Sequence, residues 1–375
     1  MTRDSAPLTI AVLAPLRHPI REPHAGGLEA AVWDRVRSLR ARGHRVVLCA
    51  VEGSDFLDGG PDEFVLPAAV WPIAELATDT TYPPGHLERA LAALEGALDF
   101  IADNAASFDV IDNHCLHAPP LARAGRLGVP MLTTLHTPPL DDMLGAHASG
   151  GGSLFSAVSA HTASEWAAAG VSAPVLPNSV DPARWTLGSG GIDLVWFGRI
   201  VPEKGTHLAI AAARAAGRRL NIAGRVGDAD YFEQLIAPQL DADIRYVGAL
   251  RQPALAELVG GSAAALVTPV WEEPFGMVIA EALATGTPVA AFDIGGVAEV
   301  TGDSGACRLV PVRDVDALAE AVTALADTAG IRASTRRRTR RDALARFSIE
   351  RRSDELESLL RSVASSPAVR AAVGA

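Results

Sequence analysis

A chain of 375 residues with 49% hydrophobic and 21% charged side chains is too long for one ordinary core and reads as two packed domains of about 150 to 200 residues each. Its formal net charge of −11 argues against a dedicated nucleic-acid binder. Cys49, Cys115 and Cys307 lie far apart in apolar runs, as buried reduced thiols do, the N-terminal apolar run has no cleavage site, and no apolar stretch reaches the roughly 20 residues of a membrane span. The expectation is a cytoplasmic protein.

Short apolar runs alternate with longer helical patterns, which predicts parallel sheets covered by helices on both faces. Residues 8–14 form a strand, followed by a loop with Gly26 and Gly27 and a helix over 28–42. No G-x-G-x-x-G follows the strand, so the dinucleotide fingerprint is missing and a dehydrogenase is disfavoured. A glycine pair at a strand-to-helix crossing still lets backbone amides approach a phosphate. The segment RHPIREPH, 17–24, reads as a solvated loop, with contact to an acceptor as the alternative. His44 is expected at the surface before a strand over 45–51. Residues 52–85 are irregular, broken by Pro61, Pro67, Pro72, Pro83 and Pro84, and a helix follows over 86–104.

A strand over 109–112 leads to Asn113-His114-Cys115-Leu116-His117. His114 and His117 lack the partner ligands of a metal site, so no metal is expected. Ligands of open α/β sheets bind beyond the carboxyl ends of strands, which points His114 toward a cleft. A strand over 131–135 ends in His136, a residue able to donate or accept near neutral pH. SGGGS, 149–153, reads as a flexible loop between strands, and further strands are expected over 154–159 and 173–176.

After PNSVDPARW, 177–185, the second half opens with a strand over 192–197 and the turn GRIVPEKG, 198–205, where Arg199 and Lys204 would neutralise a diphosphate. Strands over 220–223, 244–247, 264–268 and 288–292 follow, with Gly224 and Gly248 after the first two. The run WEEPFGMVIAEALATGTPV, 271–289, organises the chain: Glu273 and Glu281 stand eight positions apart around a helix expected from about 274 or 275 to 284. Its first turn would offer the amides of Gly276, Met277 and Val278 to a phosphate, and Glu281 would then accept ribose hydroxyls. The arginine run 336–341, RRRTRR, reads as a solvated helix face, with weak contact to an anionic membrane surface as the alternative, and a last helix covers 349–363.

These motifs together resemble the retaining glycosyltransferases of family four, with the GT-B fold: GGLE at 26–29, TTLHT at 133–137, PNSVD at 177–181, GR-x4-KG at 198–205, the Glu-x7-Glu run with its Pro-Phe-Gly, and DIGGVAE at 293–299. The resemblance implies two doubly wound Rossmann-like domains facing a central cleft: 1–180 on the acceptor side, 181–347 binding the donor, and a helix within 348–375 crossing back. It implies Glu273, His136, Arg199 and Lys204 at the reacting centre. Gly26, Gly27, His114, Gly224, Gly248, Phe275, Gly276, Met277, Val278 and Glu281 would hold the donor. Ser179 replaces the usual glycine of the PNSVD turn, which bears on turn geometry more than chemistry. The implied activity transfers a sugar from a nucleoside-diphosphate sugar, a UDP-sugar first and GDP-mannose second, to a hydroxyl of a saccharide, lipid or small molecule. It would proceed on the front face without metal or other cofactor. The rival readings are a sugar-nucleotide epimerase of the same fold and a non-catalytic nucleotide-sugar-binding protein.

Overall fold

In a computed structural model, residues 6–60, 63–72, 78, 79, 81–328 and 332–366 are described; Pro61, the first five residues and the stretch after 366 lie outside them. The first unit runs β1 Thr9–Leu13, α1 Gly27–Ala41, β2 Arg45–Val51, β3 Phe64–Leu66, α2 His86–Asp103, β4 Val110–Asn113, α3 Ala118–Arg123, β5 Met131–Leu135, α4 Asp141–Gly150, β6 Ser153–Ala157 and α5 Ala160–Ala168. The second runs β7 Leu194–Phe197, α6 Thr206–Ala215, β8 Leu220–Ala223, α7 Ala229–Tyr231, β9 Ile244–Gly248, α8 Gln252–Gly260, β10 Ala264–Val267, α9 Met277–Ala284, β11 Val289–Phe292, α10 Val297–Thr301, β12 Cys307–Val310, α11 Val315–Thr328 and α12 Ala333–Phe347, and α13 spans Ile349–Ser365.

Each unit is a six-stranded parallel sheet, ordered β3-β2-β1-β4-β5-β6 and β12-β11-β10-β7-β8-β9. Strands covered on both faces carry continuous apolar runs rather than alternation, and Ile10 to Leu13 and Leu194 to Phe197 are buried throughout. In both sheets the chain builds outward one way, returns, and builds the other way. The switch points therefore fall between β1 and β4 and between β7 and β10, where such sheets open a crevice.

The chain crosses between units twice. Val180 N–H donates to Phe347 O at 2.7 Å and Ile349 N–H donates to Val180 O at 3.0 Å, so both crossings are laced together at one place. Beyond them α13 packs on α1, with Leu356, Leu360 and Val363 in the same core as Ile10, Val36 and Leu132.

Several expectations are corrected. Residues 173–176 make one bridge, Val175 to Ala157, because Pro174 and Pro177 remove ladder donors; β3 and β12, short and poorly patterned, were unexpected. His44 is buried, its Nδ1 accepting the Leu8 N–H at 3.0 Å. SGGGS is a packed junction rather than a flexible loop: it closes α4 and opens β6, and a Cβ at Gly150 would lie 2.2 Å from Leu121 O. The arginine run is not a solvated face. Arg336 is 1% exposed, its guanidinium donating to the carbonyls of Gly188, Gly260, Ser262 and Thr285, and Arg340 turns inward to the carbonyls of Pro182, Trp185 and Ala284. Only Arg337, Arg338 and Arg341 of that run are exposed. No helix among the described residues is long and apolar enough to cross a membrane, and all three cysteines are free and buried.

Candidate active site

The strand ends at the two switch points face each other across a cavity of about 630 Å³, lined by Pro15 and Leu16 after β1, Gly198 and Arg199 after β7, and Thr268 and Pro269 after β10. Of the residues singled out in the sequence, Gly26, Gly27, His136, Arg199, Lys204, Gly224, Glu273, Phe275, Gly276, Met277, Val278 and Glu281 line it.

The second-unit wall is built from two short loops. After β7 the turn Pro202–Lys204 ends in Gly205, which lies in the left-handed region at φ 63 and presses on Thr268, where a Cβ would stand 2.2 Å from the carbonyl oxygen. Thr268 Oγ1 donates to Lys204 O at 2.9 Å, tying this turn to the end of β10. Lys204 Nζ reaches Glu273 Oε2 at 2.5 Å, and Trp271 Nε1–H donates to the same oxygen at 3.0 Å. The peptide after Glu273 is held from two sides: Gly296 N–H donates to Glu273 O at 2.7 Å, and Ser159 Oγ of the first unit donates to Pro274 O at 2.5 Å.

The helix carrying Glu281 starts later than expected. Gly276, at φ 86, is its left-handed N-cap and not part of its first turn, and Ile279 N–H is taken by Gly276 O. The free amides at the cavity are therefore those of Met277 and Val278. Glu281 follows four residues on, roughly 6 Å along the axis. Burial, together with the negative Asp34 and against the pull of Arg184, pushes its carboxyl up to about 8. Burial likewise raises Asp34 to about 6, against the pull of Arg37 and Arg184.

The first-unit wall meets these groups closely. A Cβ at Gly26 would lie 3.3 Å from Arg199 Nε, and one at Gly27 would lie 3.2 Å from Met277 Cγ, so the glycine pair gives the width that two walls in near contact require. Arg199 donates to Asp79 Oδ2 at 3.0 Å, and Arg225 reaches the same oxygen at 2.5 Å. Burial would raise the Asp79 carboxyl, but His18, Arg225 and Arg199 hold it well below the ordinary carboxylate range. The 17–24 segment is part of this wall and not a solvated loop: Arg17 stacks over Tyr82 at 3.9 Å, His18 meets Asp79 at 3.2 Å, and Glu22 pairs with Arg184.

Two expected donor contacts fall elsewhere. Gly248 ends β9 outside the cavity, and the residues after it, Ala249 and Leu250, line it instead. His114 is 1% exposed and lies behind His136, its Nδ1 2.8 Å from His136 Nε2. It sits there because the chain continues straight out of β4 into the core, where its N–H is taken by Leu13 O. His117, the other histidine of that run, meets Tyr82 Oη at 2.9 Å, and the described residues hold no cluster fit for a metal ion.

Sequence reasoning passed over Asp34, Asp79, Arg184 and Arg225 at the cavity, and Arg35 and Asp112 behind it. Asp112 carried a usable signal, a carboxylate directly after the apolar pair Val110 and Ile111 in a fully buried strand. Glu299 closes the DIGGVAE run. Both its carboxylate oxygens accept the Ala160 N–H, at 2.9 and 2.7 Å, so that it caps α5 of the opposite unit.

Two sequence profiles tile most of the chain: one described as Glycosyltransferase Family 4 matches residues 25–184, and one described as Glycosyl transferases group 1 matches residues 191–328. The chain belongs to glycosyltransferase family four. A relative, a glycogen synthase of Mycobacterium tuberculosis, is 37% identical over 166 residues, which cover 41% of this chain and 39% of that protein. A phosphatidyl-myo-inositol mannosyltransferase of Mycolicibacterium smegmatis is 32% identical over 179 residues, covering 44% and 46%. The chain thus matches less than half the length of these curated relatives. Over the whole fold, Anabaena HepE, solved in complex with UDP-glucose, superposes with a TM-score of 0.70 at 20% identity, covering 95% of this chain and all of that one. The two-unit architecture is therefore GT-B.

Proposed function

We propose that this chain transfers a sugar from a nucleoside-diphosphate sugar to a hydroxyl acceptor, with retention at the anomeric carbon. The observation that carries the reading is the convergence of Arg199, Lys204 and the free amides of Met277 and Val278 on one cavity between the two sheets. A departing nucleoside diphosphate gains negative charge, and fixed positive groups aimed at it are the largest stabilising effect such a site can offer. Within the cleft these cations hold carboxylates, Lys204 that of Glu273 and Arg199 that of Asp79. A diphosphate takes their place, which frees Glu273 to orient the sugar and to face the positive charge developing on it. Glu281 hydrogen-bonds the ribose hydroxyls, and Phe275, buried at 4% exposure, fixes the turn ahead of the amides.

The acceptor oxygen bonds to the anomeric carbon on the face from which the phosphate leaves. Its proton passes to a departing phosphate oxygen, so no protein base is required. Two fixed cations and two amides supply the charge that a divalent metal would otherwise bring, so transfer proceeds in the presence of a chelator. The relatives' names mention glycogen and phosphatidyl-myo-inositol, so saccharide and lipid acceptors are tried beside small hydroxyl compounds.

The test incubates the chain with UDP-sugars and then GDP-mannose, with and without acceptor and with EDTA, following nucleoside diphosphate release and the anomeric configuration of the product by NMR. Release without any nucleotide-sugar preference, or none at all, ends the reading. An inverted product ends the retention mechanism, and an epimerised sugar with no diphosphate release favours the epimerase.

A further inference from the structure

Behind the first-unit wall lies a charged cluster that the reaction scheme above does not use. Arg35 on α1 sends Nη1 into the core between β4 and β5, to Asp112 Oδ1 at 2.8 Å, Thr134 Oγ1 at 3.1 Å and His114 Nε2 at 3.2 Å. Asp112 is completely buried, and its other oxygen, Oδ2, takes no further hydrogen bond and stands 3.3 Å from His114 Nε2. His114 Nδ1 is 2.8 Å from His136 Nε2, and His136 lines the cleft.

Counting hydrogens assigns the tautomers. Arg35 Nη1 carries two, and its two shortest contacts, Asp112 Oδ1 and Thr134 Oγ1, use both. None is left for His114 Nε2, which therefore keeps its own hydrogen and turns it to Asp112 Oδ2. The opposite arrangement leaves a buried carboxylate oxygen with no donor, which is unfavourable away from water. With its hydrogen on Nε2, His114 presents a bare Nδ1, and the hydrogen between the two rings must come from His136 Nε2. His136 then has only Nδ1 left, an unprotonated acceptor with no partner among the described residues. Burial, with His114 and Arg35 adding to it, drives the His136 basicity well down, so the ring is neutral and the tautomer is the quantity that matters.

We propose that Asp112 and His114 are positioning residues that lock His136 in its Nε2–H form, so that His136 offers the cleft a hydrogen-bond acceptor for a substrate hydroxyl. The claim that this matters for turnover rests on the glycosyltransfer reading; the tautomer itself does not. Arg35 keeps Asp112 ionised: burial alone would raise that carboxyl, but the guanidinium and His114 hold it at about 2.

The full chain labelled with 15N-histidine, free of substrate, is read by long-range proton–nitrogen correlation, with the His136 signals assigned by their loss in His136→Gln. The expected spectrum places the His136 hydrogen on Nε2. In Asp112→Asn the new amide can donate to His114 Nε2, which reverses every hydrogen along the line and moves that of His136 to Nδ1. Turnover of the nucleotide sugar should then fall by roughly 10²-fold. A wild-type hydrogen on Nδ1 overturns the assignment without any variant, so a poorly folding Asp112→Asn chain cannot shelter it. An unchanged tautomer in a folded Asp112→Asn chain overturns the relay. A reversed tautomer with undiminished turnover overturns the role given to the acceptor nitrogen. A wild-type chain that turns over no nucleotide sugar sinks the glycosyltransferase reading, while the spectrum still decides the tautomer.

Discussion

The two walls of the cleft are built on different principles. The second-unit wall draws Arg199 and Lys204 from one turn and Glu273, Met277, Val278 and Glu281 from one nine-residue run. The first-unit wall depends on contacts such as Arg35 to Asp112 and Arg35 to Thr134, spanning 77 and 99 positions. In the scheme proposed above, chemistry held in contiguous loops acts directly on a ligand, whereas chemistry assembled across the sheet fixes the state of one group at the cleft, His136.

If that contrast holds, the largest effect comes from the contiguous wall. Lys204→Ala removes a fixed cation and strands Glu273, and kcat should fall by roughly 10²–10³-fold in a diphosphate-release assay; undiminished turnover would erase the distinction between the walls. Gly27→Val probes their spacing. Its Cβ would already be 3.2 Å from Met277 Cγ, so the branched side chain pushes the walls apart. Nucleotide-sugar affinity measured calorimetrically should weaken about tenfold, about 1.4 kcal/mol, with the thermal midpoint little changed. Equal affinity would mean that the first wall tolerates displacement.

A smaller effect concerns Glu281. Between its ordinary 4.5 and about 8, the folded chain keeps a proton there that the unfolded chain has released, so folding stability falls as pH rises through that window. Glu281→Gln removes this contribution. Its thermal midpoint should decline less steeply with pH than that of the wild type, by on the order of 2 °C across the window, and parallel curves would show that the carboxyl is ionised throughout. The smallest effect is at the surface. With Arg336 and Arg340 turned inward, the chain should not sediment with anionic vesicles even at low salt, and sedimentation that is lost on replacing Arg337, Arg338 and Arg341 together would restore the membrane-patch reading.

The same contrast explains what could be read from the sequence. Strand cores and the Arg199, Lys204 and Glu273 motifs were legible because each is a local pattern. The place of His114 was not, since the direction in which a residue leaves a strand depends on what packs beside it. Composition misled twice: RRRTRR suggested solvent although Arg336 serves the carbonyls of four residues distant in sequence from it, and SGGGS suggested mobility where the glycines allow backbones to touch. Helix α9 began late because Gly276 takes a left-handed conformation that Pro274 gave no hint of.

A single peptide joining two bodies lets them turn about many axes. Here Val180 is bonded to Phe347 and Ile349 on the returning segment, so the joints act like two pins set side by side in one door frame. Set side by side, they oppose a relative twist of the two units, and Gly26 and Gly27 stand against Arg199 and Met277.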